Sequence, residues 1–233
     1  MDFKFPHTPH LAWLGPGKPR ADKVLSPSEV QDFLDSPIVV EEKVDGANIG
    51  IFFDATGTLQ VKNRGTILQP GCHPQFQALW PWLAEHRSNL QEAMRGHLML
   101  FGEWCFAVHS MRYGNLPDYF VGFDVYDRHA KKFWVADRRD EWAQPLDIVT
   151  APIVSNGRFT LQELEALLSS LASRFGDQPA EGLYLRKEQN GWLQDRAKLV
   201  RPEFVQRIVE HWTKHAFEKN LVKQPRKESP HSI

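Results

Sequence analysis

The stretch VVEEKVDGANIGI, residues 39–51, mixes strand-forming positions with groups that strands rarely bury. Val39, Val40, Ile49 and Ile51 read as sheet positions, and the Asp45-Gly46 pair between them reads as a turn joining two strands, about 38–44 and 48–53. Lys43 stands in the middle of this run, where a cation is costly to bury. A lysine amine is a nucleophile only when deprotonated, and its reference pKa is about 10.4. Burial and neighbouring cations both lower that value. Asp45 shares a face with Lys43 if the strand continues that far, and Gly46 lets backbone approach a ligand closely. By itself, KVDG reads more readily as a solvent-facing lysine ahead of a turn, so the rest of the chain has to decide.

Upstream, SPSEVQDFL (26–34) offers Ser26 as N-cap, Pro27 at the first helical position and Glu29 as the capping-box partner. Downstream, DATGT is a turn and LQVKN (59–63) a third strand. Residues 73–95 predict a helix with a kink or break at Pro81. HLMLFGEWCFAV (97–108) and DYFVGFDVYD (118–127) predict buried strands, and KKFWVA (131–136) closes a hairpin with the second. TLQELEALLSSLASRF (160–175) has leucines at 161, 164, 167, 168 and 171 and predicts an amphipathic helix with a Thr160/Glu163 capping box. EGLYLRK (181–187) and GWLQDRAKLV (191–200) predict a hairpin across Gln189–Asn190, and residues 203–217 predict a last helix. Strands dominate without regular βα alternation. The fold class is therefore α+β, with mainly antiparallel sheets and flanking helices.

At 42% hydrophobic and 24% charged, the composition is that of a soluble globular protein. A formal charge of −1 gives no global sign of a nucleic-acid binder. Locally, residues 196–227 hold nine Lys/Arg against three acids, a surplus that fits phosphate contact or a solvated helical face equally well. Cys72 and Cys105 are too few for a disulfide scaffold or a zinc cluster and suit a reducing compartment. No secretory leader or 18-residue apolar run is present, so a cytoplasmic protein with no membrane span is expected.

Other segments strengthen Lys43. VKNRG ends a strand with Arg64, suited to a phosphate-facing guanidinium, beside Gly65. LFGEW puts Glu103 inside an apolar strand, a costly place unless the carboxylate binds something. Phe123 and Asp124 face opposite ways in VGFDVYD, and EGLYLR repeats an acid-glycine-apolar pattern at Glu181. In DRAKLV, Arg196 and Lys198 project from one strand face.

In this order the segments resemble the covalent nucleotidyltransferase superfamily of ATP-dependent DNA and RNA ligases and mRNA capping enzymes, over about two-thirds of the chain. The sequence is most similar to the RNA ligase family whose phage member seals nicks in duplex RNA, and to a bacterial group of small RNA-ligase-domain proteins. That likeness rests on TPHL (8–11), GEW (102–104), HS (109–110), LPDYF (116–120), FDVYD (123–127) and RPEF (201–204). The resemblance implies a nucleotidyltransferase domain in which Lys43 accepts AMP from ATP, with Mg²⁺ or Mn²⁺ as the metal. It implies nucleotide contacts from Glu42, Asn48, Arg64, Glu103, Phe123 and Lys198, with Phe123 stacked on adenine. Glu181 and Glu103 become the metal-side acids, and Arg196 and Lys198 the phosphate-gripping pair that joins Lys43 and Glu181 in catalysis. The expected partner is nucleic acid, met by His109, Arg112, Arg201, Arg207 and Lys214. His7 and His10 in HTPH are expected to order the N-terminal segment over the nucleotide pocket rather than bind metal.

Two departures bear on substrate. Arginine stands at 196 where the family usually has lysine, and Asp45 is the residue that DNA ligases and capping enzymes carry. Thirty-five residues follow Lys198, too few for a five-stranded OB-fold, which favours the RNA ligase branch. The expected organisation is an adenylyltransferase domain over 1–202 and a short basic helix and tail over 203–233. The expected protein is a monomer that an end-healing kinase or phosphatase serves. Joining of DNA or hybrid nicks, and end-binding without ligase activity, stay open as alternatives.

Overall fold

The computed structural model describes residues 3–16, 23–63, 65–207 and 218–223. Among these, ten strands form one antiparallel sheet: β1 (Ile38–Lys43), β2 (Ala47–Phe53), β3 (Leu59–Asn63), β4 (Thr66–Ile67), β5 (Leu98–Trp104), β6 (Phe120–Asp127), β7 (Lys132–Trp134), β8 (Ile153–Gly157), β9 (Gly182–Gln189) and β10 (Trp192–Val200). The order across the sheet is β4-β3-β2-β5-β6-β7-β10-β9-β1-β8. Five helices accompany it: α1 (Pro27–Leu34), α2 (Leu79–Met94), α3 (Ala136–Ala143), α4 (Leu161–Ser170) and α5 (Pro202–Arg207). None of the described helices is long and apolar enough to cross a membrane. The α+β, largely antiparallel expectation holds.

Strand alternation assigns the two faces. Ala47, Ile49, Ile51 and Phe53 of β2, with Leu98 and Leu100 of β5, pack beneath Leu79, Leu83, Leu90 and Met94 of α2. Val40 of β1, Leu183 and Leu185 of β9, and Ala197 and Leu199 of β10 pack beneath Phe33 of α1 and Leu164 and Leu168 of α4. The intervening residues, including Glu41, Lys43, Asn48, Glu103, Tyr184 and Lys198, are thereby turned to the opposite face, where they line a common cavity. Both capping boxes form as predicted, at Ser26/Glu29 and Thr160/Glu163.

Several element boundaries differ from expectation. Residues 73–95 divide into a 3₁₀ turn at Pro74–Phe76 and α2, with Pro81 in the first helical turn, where a missing N–H breaks no ladder bond. The β9–β10 turn is Asn190–Gly191, one residue later, because both adopt positive φ (54° and 78°). Helix α4 stops at Ser170. Leu171 is extended, and the Arg201 guanidinium covers the last carbonyls of the helix, those of Leu168, Ser169 (3.2 Å) and Leu171 (3.1 Å). The β5 strand ends at Trp104, since Asn220 takes the carbonyls of Cys105 and Ala107 into side-chain bonds. Of the last helix, only Pro202–Arg207 falls within the described residues.

Beneath the cavity lies a buried charge network. Asp124 binds Arg186 (2.6 Å) and Arg196 (2.7 Å), and Glu41 binds Arg139 of α3 (2.7 Å). Arg139 and Arg186 also donate to the Phe123 carbonyl, and Arg186 to Trp134 O. Removing one member of a buried pair strands its partner's charge. Asp124→Ala should therefore lower the unfolding free energy by about 3–5 kcal/mol in urea titration.

Candidate active site

Strand β1 delivers Lys43 to the cavity and ends there. Gly46 follows because a Cβ at this position would lie 2.9 Å from the Trp104 carbonyl oxygen, so the chain turns from β1 into β2 against the end of β5. Asp45 does not continue the strand. Its Oδ2 accepts from the backbone amides of Ser110 (2.6 Å) and Met111 (2.9 Å), and its own N–H donates to the Tyr113 hydroxyl (2.8 Å). The aspartate thus holds the loop after β5 beside Lys43.

Lys43 Nζ donates to Glu181 Oε2 at 2.6 Å, across 138 residues of sequence. The pairing register places Lys43 opposite Gly182, whose missing side chain lets β9 close on β10; a Cβ there would sit 2.5 Å from Leu199 O. Burial raises the Glu181 carboxyl to about 7, with the Lys43 charge pulling the other way. Burial also opposes the charge on Lys43, but attraction to Glu181, Asp45 and Glu103 outweighs it and holds the amine protonated, above its ordinary range. In this state Lys43 is an ammonium, not a nucleophile.

Of the residues singled out in the sequence, Glu42, Lys43, Asn48, Glu103, Phe123 and Lys198 line the cavity, with Glu181 bonded to Lys43 at its edge. Asn48 and Glu103 are direct partners across the β2–β5 ladder. Glu42 contributes differently from its neighbours: its carboxylate turns away to the Ser173 hydroxyl (2.6 Å) and the Arg174 amide (2.9 Å). Arg196 is held apart from these residues. Its guanidinium is paired with Asp124 and lies against the Phe133 (4.0 Å) and Phe5 (4.8 Å) rings, lining a neighbouring hollow.

The residues expected to meet nucleic acid are dispersed. Arg201 is taken up by the α4 carbonyls and the Ala180 carbonyl (2.8 Å), a structural role. Arg112 pairs with Glu218. His109 Nε2 lies 3.1 Å from Gln75 Oε1, and burial lowers its pKa. Arg64, Lys214 and the Arg207 side chain lie outside the described residues. His10 is buried in backbone bridges to Lys198 and Val24, while His7 lines the cavity mouth.

The N-terminal segment lies at the cavity as expected, through Lys4–Thr8, whereas sequence reasoning missed Tyr184, Glu41 and the part of Phe5, all of which line the cavity. Glu41 was findable, since it sits two residues before Lys43 on the same strand face. The hydroxyl of Tyr184 donates to Asp124 (3.1 Å), and its ring lies 6.1 Å from that of Phe123.

The sequence pattern of the RNA ligase family matches residues 36–200, the span from just before β1 to the end of β10. The chain belongs to the RNA ligase family. A comparison with curated proteins gives no match. Among solved structures, this RNA ligase domain is similar to a lysine-to-alanine variant of Naegleria gruberi RNA ligase with ATP and Mn, at a TM-score of 0.62 and 16% identity over 87% of this chain. It is also similar to the same ligase with PPi (TM-score 0.60, 17% identity, 90% of this chain) and to a lysine-to-methionine variant with AMP and Mn (0.58, 17%, 77%). The likeness is one of fold, and the chain spans 59%, 65% and 54% of those three chains.

The Lys43–Glu181 bond can be tested without substrate. Glu181→Gln removes an attraction that raises the lysine, so Lys43 should become reactive towards an amine-modifying reagent at lower pH than in the wild type. Mass spectrometry of the Lys43 peptide across a pH series reads the midpoint, and an unchanged midpoint would contradict the assignment.

Proposed function

We propose that this chain is an ATP-dependent RNA ligase that joins 3′-OH and 5′-phosphate ends through a covalent Lys43–AMP intermediate. The observation that carries this reading is the placement of Lys43, bonded to Glu181, in a cavity with Asn48, Glu103, Phe123 and Lys198 on the strands of the family fold. Phe123 and Tyr184 offer aromatic faces for the adenine. Lys198 brings a cation to the phosphates.

The amine must first lose the proton that Glu181 holds on it, which positive charge brought beside the pair would favour. Nζ then attacks the α-phosphorus in line, a nitrogen–phosphorus bond forms, and the bond to pyrophosphate breaks. A 5′-phosphate oxygen next displaces Lys43 from AMP. A 3′-OH finally displaces AMP from the adenylylated end. One cleft serves all three transfers because each is a matter of positioning and charge.

Buried Glu181 and half-buried Glu103 both act electrostatically on Lys43 and carry the oxygen ligands a hard divalent cation takes. Such a cation, when bound, supplies charge neutralisation at the α-phosphate and weakens the hold of Glu181 on the Lys43 proton. Asp45 is occupied with the Ser110 and Met111 amides, so its presence has a folding reason and does not argue for a DNA substrate.

Incubation with α-labelled ATP and Mg²⁺ or Mn²⁺ should transfer label to the wild-type chain, and Lys43→Ala should abolish it. No label on the wild type with either metal would refute the reading. Sealing of nicked RNA, hybrid and DNA duplexes tests the strand preference, with RNA expected to exceed DNA.

A further inference from the structure

The segment 3–11 crosses the cavity as a strap fixed at both ends. At one end, Phe3 stacks on Tyr126 (centroids 3.9 Å, 18°), and its carbonyl accepts from Lys62 Nζ (2.5 Å). Phe5 lies among Phe101 (5.0 Å), Phe133 (5.6 Å) and Phe123, which it meets edge-on at 5.3 Å and 80°. At the other end, Lys198 N–H donates to Pro9 O (2.9 Å), and Leu11 N–H donates to Lys198 O (2.8 Å). Leu11 itself is buried in the core beneath β10. Between these anchors, Lys4–Thr8 forms a wall of the cavity.

The strap therefore touches both ends of the proposed nucleotide site. Phe5 abuts the ring assigned to the base, and Pro9–Leu11 holds the backbone of the lysine assigned to the phosphates. Three residues lie between Phe5 and Pro9, and the four steps reach about 14 Å at full extension, so little slack can separate the two ends. An edge-on neighbour fixes the plane of Phe123, and a stacking platform helps only if its plane is set before the base arrives.

Resting on the ligase reading above, we propose that Phe5 is a positioning residue for ATP: the strap orients Phe123 and Lys198 together and thereby retains the nucleotide during the charging of Lys43. Once AMP arrives attached to a polynucleotide end, the nucleic acid supplies its own binding, and dependence on Phe5 falls.

The test is single-turnover labelling of Lys43 across a range of ATP concentrations, alongside sealing of a chemically pre-adenylylated nick without ATP. Phe5→Ala should raise the ATP concentration for half-maximal labelling by about tenfold, the value of one aromatic pair. The maximal labelling rate and the pre-adenylylated sealing rate should change by less than threefold. Phe5→Tyr, which keeps the ring, should restore the wild-type ATP dependence. An unchanged ATP dependence in Phe5→Ala overturns the proposal. Equal losses in labelling and in pre-adenylylated sealing also overturn it, because they mark general damage to the fold. Absence of label on the wild type would instead refute the ligase reading and leaves the two failures distinguishable.

Discussion

Three buried arginines and the carboxylates facing them hold the site's geometry. Asp124 alone joins β6 to β9 through Arg186 and to β10 through Arg196, while Glu41 joins β1 to α3 through Arg139. Buried charges tolerate little displacement, because each small separation loses attraction in a medium that does not screen it. The strands carrying Lys43, Phe123, Tyr184 and Lys198 are thus locked in relative position from beneath. The cavity is a surface laid over this network.

That arrangement explains the fate of Arg196. The network needs a second cation at Asp124, and the face that β10 presents to the cavity supplies one. The residue two positions on, Lys198, remains at the cavity wall. A rigid charge lattice and a responsive one therefore lie side by side. Below, arginines stay charged whatever binds; above, Lys43 and Glu181 share a proton economy that a bound phosphate or cation can shift.

Much of this was legible in the sequence because it depends on local rules. Apolar alternation placed β1, β2 and β3 almost to the residue, capping boxes marked α1 and α4, and the two-residue spacing of Arg196 and Lys198 put both on one strand face. Lys43 and Glu181 could be joined only through a family resemblance, since no local rule connects residues 138 apart. Helix α3 escaped notice because ADRRDEWA has no apolar stripe; its contribution is a buried arginine, which composition would assign to the surface. The Arg196–Asp124 pair, 72 residues apart, was invisible for the same reason; the strap was anticipated from HTPH, but its anchorage through Phe3 and Phe5 was not, because that stretch carries no regular period.

Strand β1 forms hydrogen-bonded ladders with β8 and β9, both encoded more than a hundred residues later. A growing chain on the ribosome therefore exposes β1, which carries Lys43, without ladder partners until most of the domain has emerged. Contacts of such sequence separation slow folding, since the chain must close long loops before they are rewarded. Asn220, fully buried against the loop that Asp45 holds, extends this delay almost to the end of the described chain. The cavity is consequently among the last parts of the molecule to take shape, and no N-terminal fragment of the domain can contain an assembled one.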